Sequence, residues 1–218
     1  PAPRHRRRII LKLLKQYAKD GSSLHDIGCG NGFLLKEIKD KFDYLALSGS
    51  DISDEIINKN RSVYPDIEFH TLNIGKDIQH PVQYDICICS ELLEHVEDLD
   101  TAIKNLCQMV KPTGVAILTL PDGKVYKIDE MVGHHRHFKD ASPFYNLFTV
   151  KKELRWGFPF FNLYKWAINL KPDYMSRRFL KSEYTFMQKL ISKLIYLLFF
   201  LNLRVWGKQL ILVLETRI

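Results

Sequence analysis

Three alternating glycines constrain this chain more than any other feature. They lie in His25-Asp26-Ile27-Gly28-Cys29-Gly30-Asn31-Gly32-Phe33, between a short apolar run and a helical pattern. Glycines at such spacing let the backbone turn tightly and approach a ligand where side chains would collide. The helix that follows offers free N–H groups and the positive end of its dipole. A dinucleotide-binding loop would place its third glycine or an alanine at position 33, which is Phe. No Gly-Lys-Ser/Thr follows, so a phosphate-cradling P-loop is excluded. Asp26, just ahead of the first glycine, suits a cationic ligand group better than a pyrophosphate.

The segments around this loop alternate between strand and helix. Residues 4–19 carry Ile9, Ile10, Leu13, Leu14 and Tyr17 at helical spacing, and Gly21 is a natural stop. Strands are expected at 24–27, 44–50, 67–72, 84–90 and 115–120. Helices are expected at 32–42 (Phe33, Leu34, Leu35 and Ile38 inward), 53–64 and 99–110, with a turn at 111–114. The nearly continuous apolar run 84–90 fits a central parallel strand buried on both faces. Such alternation predicts an α/β fold with a doubly wound, mostly parallel sheet. At the end of the second strand stands Asp51, some twenty residues past the glycines, placed to accept hydrogen bonds from both hydroxyls of a ribose. Ile52 beside it can pack on an adenine face.

After Pro121 the periodicity breaks, and His134, His135 and His137 surround Arg136. A strand is expected at 148–156, helices at 160–169 and 184–203, and a last strand at 209–215. Composition divides in the same region. Residues 1–150 carry a net charge of −2 and residues 151–218 a net charge of +9, and the latter hold 14 of the 26 aromatic residues. Two readings of this basic aromatic segment stay open: a core with a solvated cationic face, or a lid over an acceptor pocket that touches a membrane through residues 156–203. Trp156, Phe158, Phe160, Phe161, Tyr164 and Trp166 are dense enough to enclose an apolar ligand. The apolar run 194–201 is too short to span a bilayer. Cys29, Cys87, Cys89 and Cys107 lack zinc spacing and read as reduced thiols of a cytoplasmic protein.

The glycine loop, Asp51 and the run Tyr84-Asp85-Ile86-Cys87-Ile88-Cys89-Ser90-Glu91-Leu92-Leu93-Glu94-His95-Val96 together resemble class I S-adenosylmethionine-dependent methyltransferases, over roughly residues 5–120. Ser90 to Val96 looks most like the branch of the ubiquinone-biosynthesis O-methyltransferases and related small-molecule enzymes. Gly133-His134-His135-Arg136-His137-Phe138 resembles a Gly-His-x-Arg-aromatic segment of that branch. The resemblance implies a seven-stranded Rossmann-like sheet in one domain spanning 1–218, with an N-terminal helix at 4–19 and a substrate-side loop and helical insertion at 121–207. It implies S-adenosylmethionine as cofactor and S-adenosylhomocysteine as product. By the same resemblance Asp26, Gly28 and Gly30 would hold the methionine end, Asp51 the ribose and Ile52 the adenine, with Cys29 and Gly32 of the loop also binding the cofactor. Asn73, with Ile74 next to it, stands where the family often has an Asp reading the adenine amino group. Ser90 and Glu91 would line the region of the transferred methyl.

Methyl transfer asks mainly for placement of the acceptor and removal of its proton. His95 and His134 are the candidate bases, since an imidazole titrates near working pH. Glu91, Glu94 and His95, at i, i+3 and i+4, would share one face of a helix and could hold a divalent cation; no metal is assigned. The expected acceptor is a small or lipid-linked molecule, methylated on oxygen. Methylation of RNA is the runner-up, although no nucleic-acid-binding module is recognisable. A domain that binds the cofactor without turnover is the rival from another class.

Overall fold

The structure is a computed structural model that describes residues 1–173, 185–203 and 206–217. Its centre is a seven-stranded sheet of order β3-β2-β1-β4-β5-β7-β6. The strands are β1 (Ser23–Ile27), β2 (Ala46–Asp51), β3 (Glu68–Thr71), β4 (Tyr84–Ser90), β5 (Val110–Pro121), β6 (Phe148–Trp156) and β7 (Gln209–Thr216). All pairs from β3 to β5 are parallel, whereas β7 runs antiparallel to both β5 and β6. The expected doubly wound, seven-stranded sheet is present. Its order reverses between β1 and β4, the place where open α/β sheets bind ligands beyond their carboxyl ends.

Helices cover the two faces: α1 (Ala2–Tyr17), α2 (Phe33–Lys39), α3 (Asp54–Val63), α4 (Leu99–Met109), α5 (Lys127–Met131), α6 (Phe160–Asn169) and α7 (Phe186–Leu198). One core layer gathers Ile10, Leu14, Leu35 and Ile38 against one face of β1 and β4. The other packs Ala102, Ile103 and Leu106 of α4 against Cys87, Cys89 and Leu118. The side chains of Ser53 and Asp98 accept backbone N–H groups at the starts of α3 and α4. All four cysteines are free and buried.

Several expectations need correction. Phe33 does not face inward; it is 60% exposed at the start of α2, whose buried residues are Leu34, Leu35 and Ile38. The stretch 111–114 is not a turn between elements but a bulge inside β5. Val110 pairs with Tyr84 and Val115 with Ile86, so the residues between them loop out of register. Residues 121–147 hold α5, too short for periodicity to reveal. Trp156 and Phe161 are core rings, both nearly fully buried. They pack with Phe199 in the core under α1, and Trp156 stacks on His5 at a ring separation of 4.3 Å. The core reading therefore holds for these rings. The part of the insertion at 174–184, and residues 204 and 205, lie outside the described residues.

Candidate cofactor pocket and proton-accepting edge

The loop after β1 is held to β2 by its backbone. The N–H groups of Gly28 and Cys29 both donate to the carbonyl of Ser50, each at 2.8 Å. Gly28 and Gly32 have φ of +75° and +70°, a region that penalises any side chain. A Cβ on Gly28 would meet Leu92 at 3.0 Å, and one on Gly32 would meet the Tyr64 ring at 2.8 Å. Backbone torsion and close packing both demand glycine here. Asn60 of α3 fastens the turn from outside, donating to the Gly30 carbonyl at 2.6 Å.

Asp51 ends β2 with its carboxylate fixed. Oδ2 accepts from the Gly30 N–H at 3.0 Å and Oδ1 from the Ser53 N–H at 3.1 Å. Each oxygen keeps a lone pair for a ligand hydroxyl. The carboxylate borders a cavity of about 390 Å³ whose walls include Gly28, Ile52, Asn73, Leu92 and His95. That volume is within the usual range for cofactor sites. Ile52 offers a bare apolar surface, being 67% exposed. An oriented carboxylate, an apolar wall and a neighbouring amide suit a nucleoside, so the residues present fit S-adenosylmethionine. Asn73 lines the cavity, with its Oδ1 already accepting the Gly75 N–H at 3.0 Å.

Asp26 lies beneath the loop, 3% exposed. Burial, together with the nearby Asp51 charge, raises its pKa to about 8. The group is largely protonated at neutral pH and is poised to ionise beside a cation. Burial raises the Cys29 thiol to about 12, which leaves it inert. His25 crosses the sheet face between two hydroxyls, Nδ1 at 2.7 Å from Ser48 Oγ and Nε2 at 2.9 Å from Ser50 Oγ. Burial lowers its pKa to about 3.

Beyond β4 the chain makes one short turn of 3₁₀ helix, Leu93–His95. Glu91 precedes it at φ +54°. Glu91, Glu94 and His95 thus share no helical face, contrary to expectation. Glu91 turns instead toward the last strand and the first helix. Its Oε1 accepts from Gln209 at 2.6 Å and from Thr119 at 3.3 Å, and its Oε2 lies 3.4 Å from Arg6. Ser90 is engaged with Thr119 at 2.8 Å. Both stand at the carboxyl edge of β4, but neither is a wall of the cavity. Asp26, Cys29, Gly30 and Gly32 are not walls either, whereas Gly28, Asp51, Ile52, Asn73, Ile74 and His95 are.

The histidine segment is stitched onto this turn. Arg136 donates to the carbonyls of Leu93, Val96 and Glu97, and the His135 N–H donates to the Glu94 carbonyl at 2.8 Å. His95 Nδ1 lies 3.0 Å from the Gly133 carbonyl. A carbonyl only accepts, so Nδ1 carries the proton and Nε2 keeps its lone pair. His134 stands edge-on to His95 at a ring separation of 4.7 Å, with its Nδ1 at 3.1 Å from His137 Nε2. Burial, reinforced by His95, pulls its pKa down to about 4. His134 is not a wall of the cavity, and His135 is.

Glu94 is fully buried, and its carboxylate oxygens meet no other residue's hydrogen-bond donor. Burial and the Glu91 charge raise its pKa well above that of an ordinary carboxylate. Glu94, His95 and His134 bring ligand atoms within 4.8 Å of one another, as do Asp129, His134 and His137. Asp129 is already claimed by Lys165 at 2.6 Å. The sequence pointed to His135 and His137 only as members of the histidine segment, without a role, and gave no signal for Asp129 or Lys165.

Comparison with known proteins agrees with this geometry. A family model described as "Methyltransferase domain" matches residues 3–167. The ubiquinone biosynthesis O-methyltransferase of Rickettsia typhi is 30% identical over 116 residues, covering 50% of this chain and 46% of that protein. Its counterpart in Coxiella burnetii is 36% identical over 112 residues, covering 46% and 44%. The match thus spans about half the length of these curated relatives. A solved structure of a sarcosine dimethylglycine methyltransferase from Galdieria sulphuraria, so described provisionally, superimposes with a TM-score of 0.66 at 12% identity, over 96% of this chain and 84% of that one. With three quarters of its length inside that family model, the chain belongs to the methyltransferase-domain family, of the class I, S-adenosylmethionine-dependent fold.

Proposed function

We propose that the chain methylates a hydroxyl oxygen of a small or lipid-linked acceptor, with S-adenosylmethionine as donor and S-adenosylhomocysteine as product. The sulfonium supplies an already reactive methyl group when bound. Asp51 holds the ribose, Gly28 lets the backbone come close, and Asp26 ionises against the cationic arm of the ligand. Leu92 and Val96 wall the pocket and keep water from the reacting centre.

The observation that carries the oxygen preference is the His95 tautomer. A neutral amine brings its own lone pair to the methyl, whereas a hydroxyl gains much by losing a proton in the same step. His95 lines the cavity, and in the neutral ring the bond from Nδ1 to Gly133 leaves the lone pair on Nε2. His134 beside it stays neutral, so it does not repel the charge His95 gains. The naming of the curated relatives as O-methyltransferases points the same way.

The test is transfer of a labelled methyl from S-adenosylmethionine into hydroxylated aromatics, lipid extracts, amines and RNA in parallel. Fragmentation of the labelled product locates the methyl. Label on oxygen in a small or lipid-phase product is expected; label confined to amines or to RNA overturns the reading.

A further inference from the structure

We infer that the exposed face of α7 is a docking surface for an anionic lipid bilayer. An amphipathic helix on a globular protein normally turns its apolar stripe inward. In α7 a second apolar stripe faces outward. Met187, Leu190, Ile191, Leu194 and Leu197 recur at helical spacing, and every one is exposed, Leu194 at 58% and Leu190 at 51%. The half-buried residues are Gln188, Ser192, Ile195, Tyr196 and Leu198, of which Ile195 packs against the core. No residue of this helix is fully buried. Among the described residues nothing covers the stripe.

One border of the stripe is cationic. Lys189, Lys193 and Tyr196 follow one another at i, i+4 and i+7 and so form a single ridge. Arg4 of α1 sits over the Tyr196 ring at 5.1 Å, and Arg8 over the Phe200 ring at 3.8 Å, bringing two more charges to that edge. Neither α1 nor α7 contains a single Asp or Glu. Aliphatic side chains beside a basic border are what a helix lying in the plane of an anionic membrane presents.

The charge also decides against the other occupants. A second copy meeting this face would bring two all-cationic borders together, with no acidic residue on either helix to pair them. Single-stranded nucleic acid would want a succession of aromatic platforms along the stripe, and the outward positions carry one aromatic, Phe186, among Leu, Ile and Met. No helix among the described residues is long and apolar enough to cross a membrane, so the contact is peripheral. The layer that docks includes α1, whose Arg6 reaches Glu91 at the carboxyl edge of the sheet. Docking therefore brings the acceptor side of the pocket to the bilayer. The inference does not depend on methyl transfer, because vesicle binding needs no turnover.

The experiment is co-sedimentation of the protein with vesicles of phosphatidylglycerol and phosphatidylcholine, against phosphatidylcholine alone. Binding is expected to the anionic vesicles, to weaken with salt, and to fall at least tenfold in the Leu190→Asp/Leu194→Asp variant. Lys189→Glu/Lys193→Glu should lose on the order of tenfold or more on anionic vesicles. Unchanged S-adenosylmethionine affinity by calorimetry verifies that both variants are folded. No binding by folded wild type, or binding indifferent to both pairs of substitutions, overturns the inference. So does a dimer in sedimentation equilibrium that Leu190→Asp/Leu194→Asp dissociates while vesicles go unbound, or capture of generic RNA in preference to vesicles.

Discussion

His95 Nδ1 lies 3.0 Å from the carbonyl oxygen of Gly133, a contact that in the neutral ring leaves Nε2 as the free nitrogen. Gly133 reaches the position with φ +88°, and a Cβ there would stand 3.6 Å from the same nitrogen. The proposed base and the residue that orients it come from separate segments, joined by Arg136.

Replacing His95 with Ala is expected to lower kcat by about 10²- to 10⁴-fold, the usual range for a lost general base. His134→Ala should cost less, because it acts through its neighbour. Steady-state rates on an identified hydroxyl acceptor measure both. Normal rates in His95→Ala would leave placement as the whole of catalysis.

The proposed contact of Asp26 with the cationic arm of the cofactor would link binding to protons. Its pKa of about 8 in the free protein means that pairing with a cationic group expels a proton at neutral pH. Affinity should therefore climb by up to about tenfold per pH unit between pH 6 and 8 and flatten above. Calorimetry in buffers of different ionisation enthalpy reads the released proton directly. Asp26→Asn should remove both the slope and the proton release.

His25 makes stability fall in mild acid. Its pKa is about 6.5 in an unfolded chain and about 3 in the fold, so the unfolded state binds the proton more tightly. The stabilisation is complete above pH 6.5 and is lost as pH falls toward 3, at about 1 kcal/mol per unit. Denaturant melts between pH 7 and 5 measure it, and His25→Gln should flatten the profile.

Gly32→Ala should destabilise the protein by about 1–3 kcal/mol, since φ +70° and contact with the Tyr64 ring penalise the same methyl. Gly21→Ala has equal φ strain to overcome, at +74°, but open space around it, and should cost less. Comparing thermal melts of the two separates torsion from crowding.

The sheet was legible because each of its first five strands is announced by a short apolar run and a punctuating loop. Gly28, Asp51 and Ile52 were legible for a related reason: two consecutive strand ends bring them together, and their spacing along the chain encodes it. The histidine edge was less so. His95 and His134 are far apart in sequence, and their meeting depends on Arg136 grasping three carbonyls, which no periodicity records. Glu91 and Glu94 were misjudged together because i, i+3 spacing implies a shared face only in a helix, and the chain there makes a single 3₁₀ turn after a left-handed residue. The outward stripe of α7 was equally hidden, since a pattern of apolar residues does not say which way it faces.

The three carbonyls that Arg136 grips belong to the turn that also walls the nucleoside pocket through His95 and Val96. One guanidinium therefore fastens the histidine segment to a wall of the cavity, and without it the two would be joined mainly through the backbone bond from His135 to Glu94 and the ring contact of His95 with Gly133.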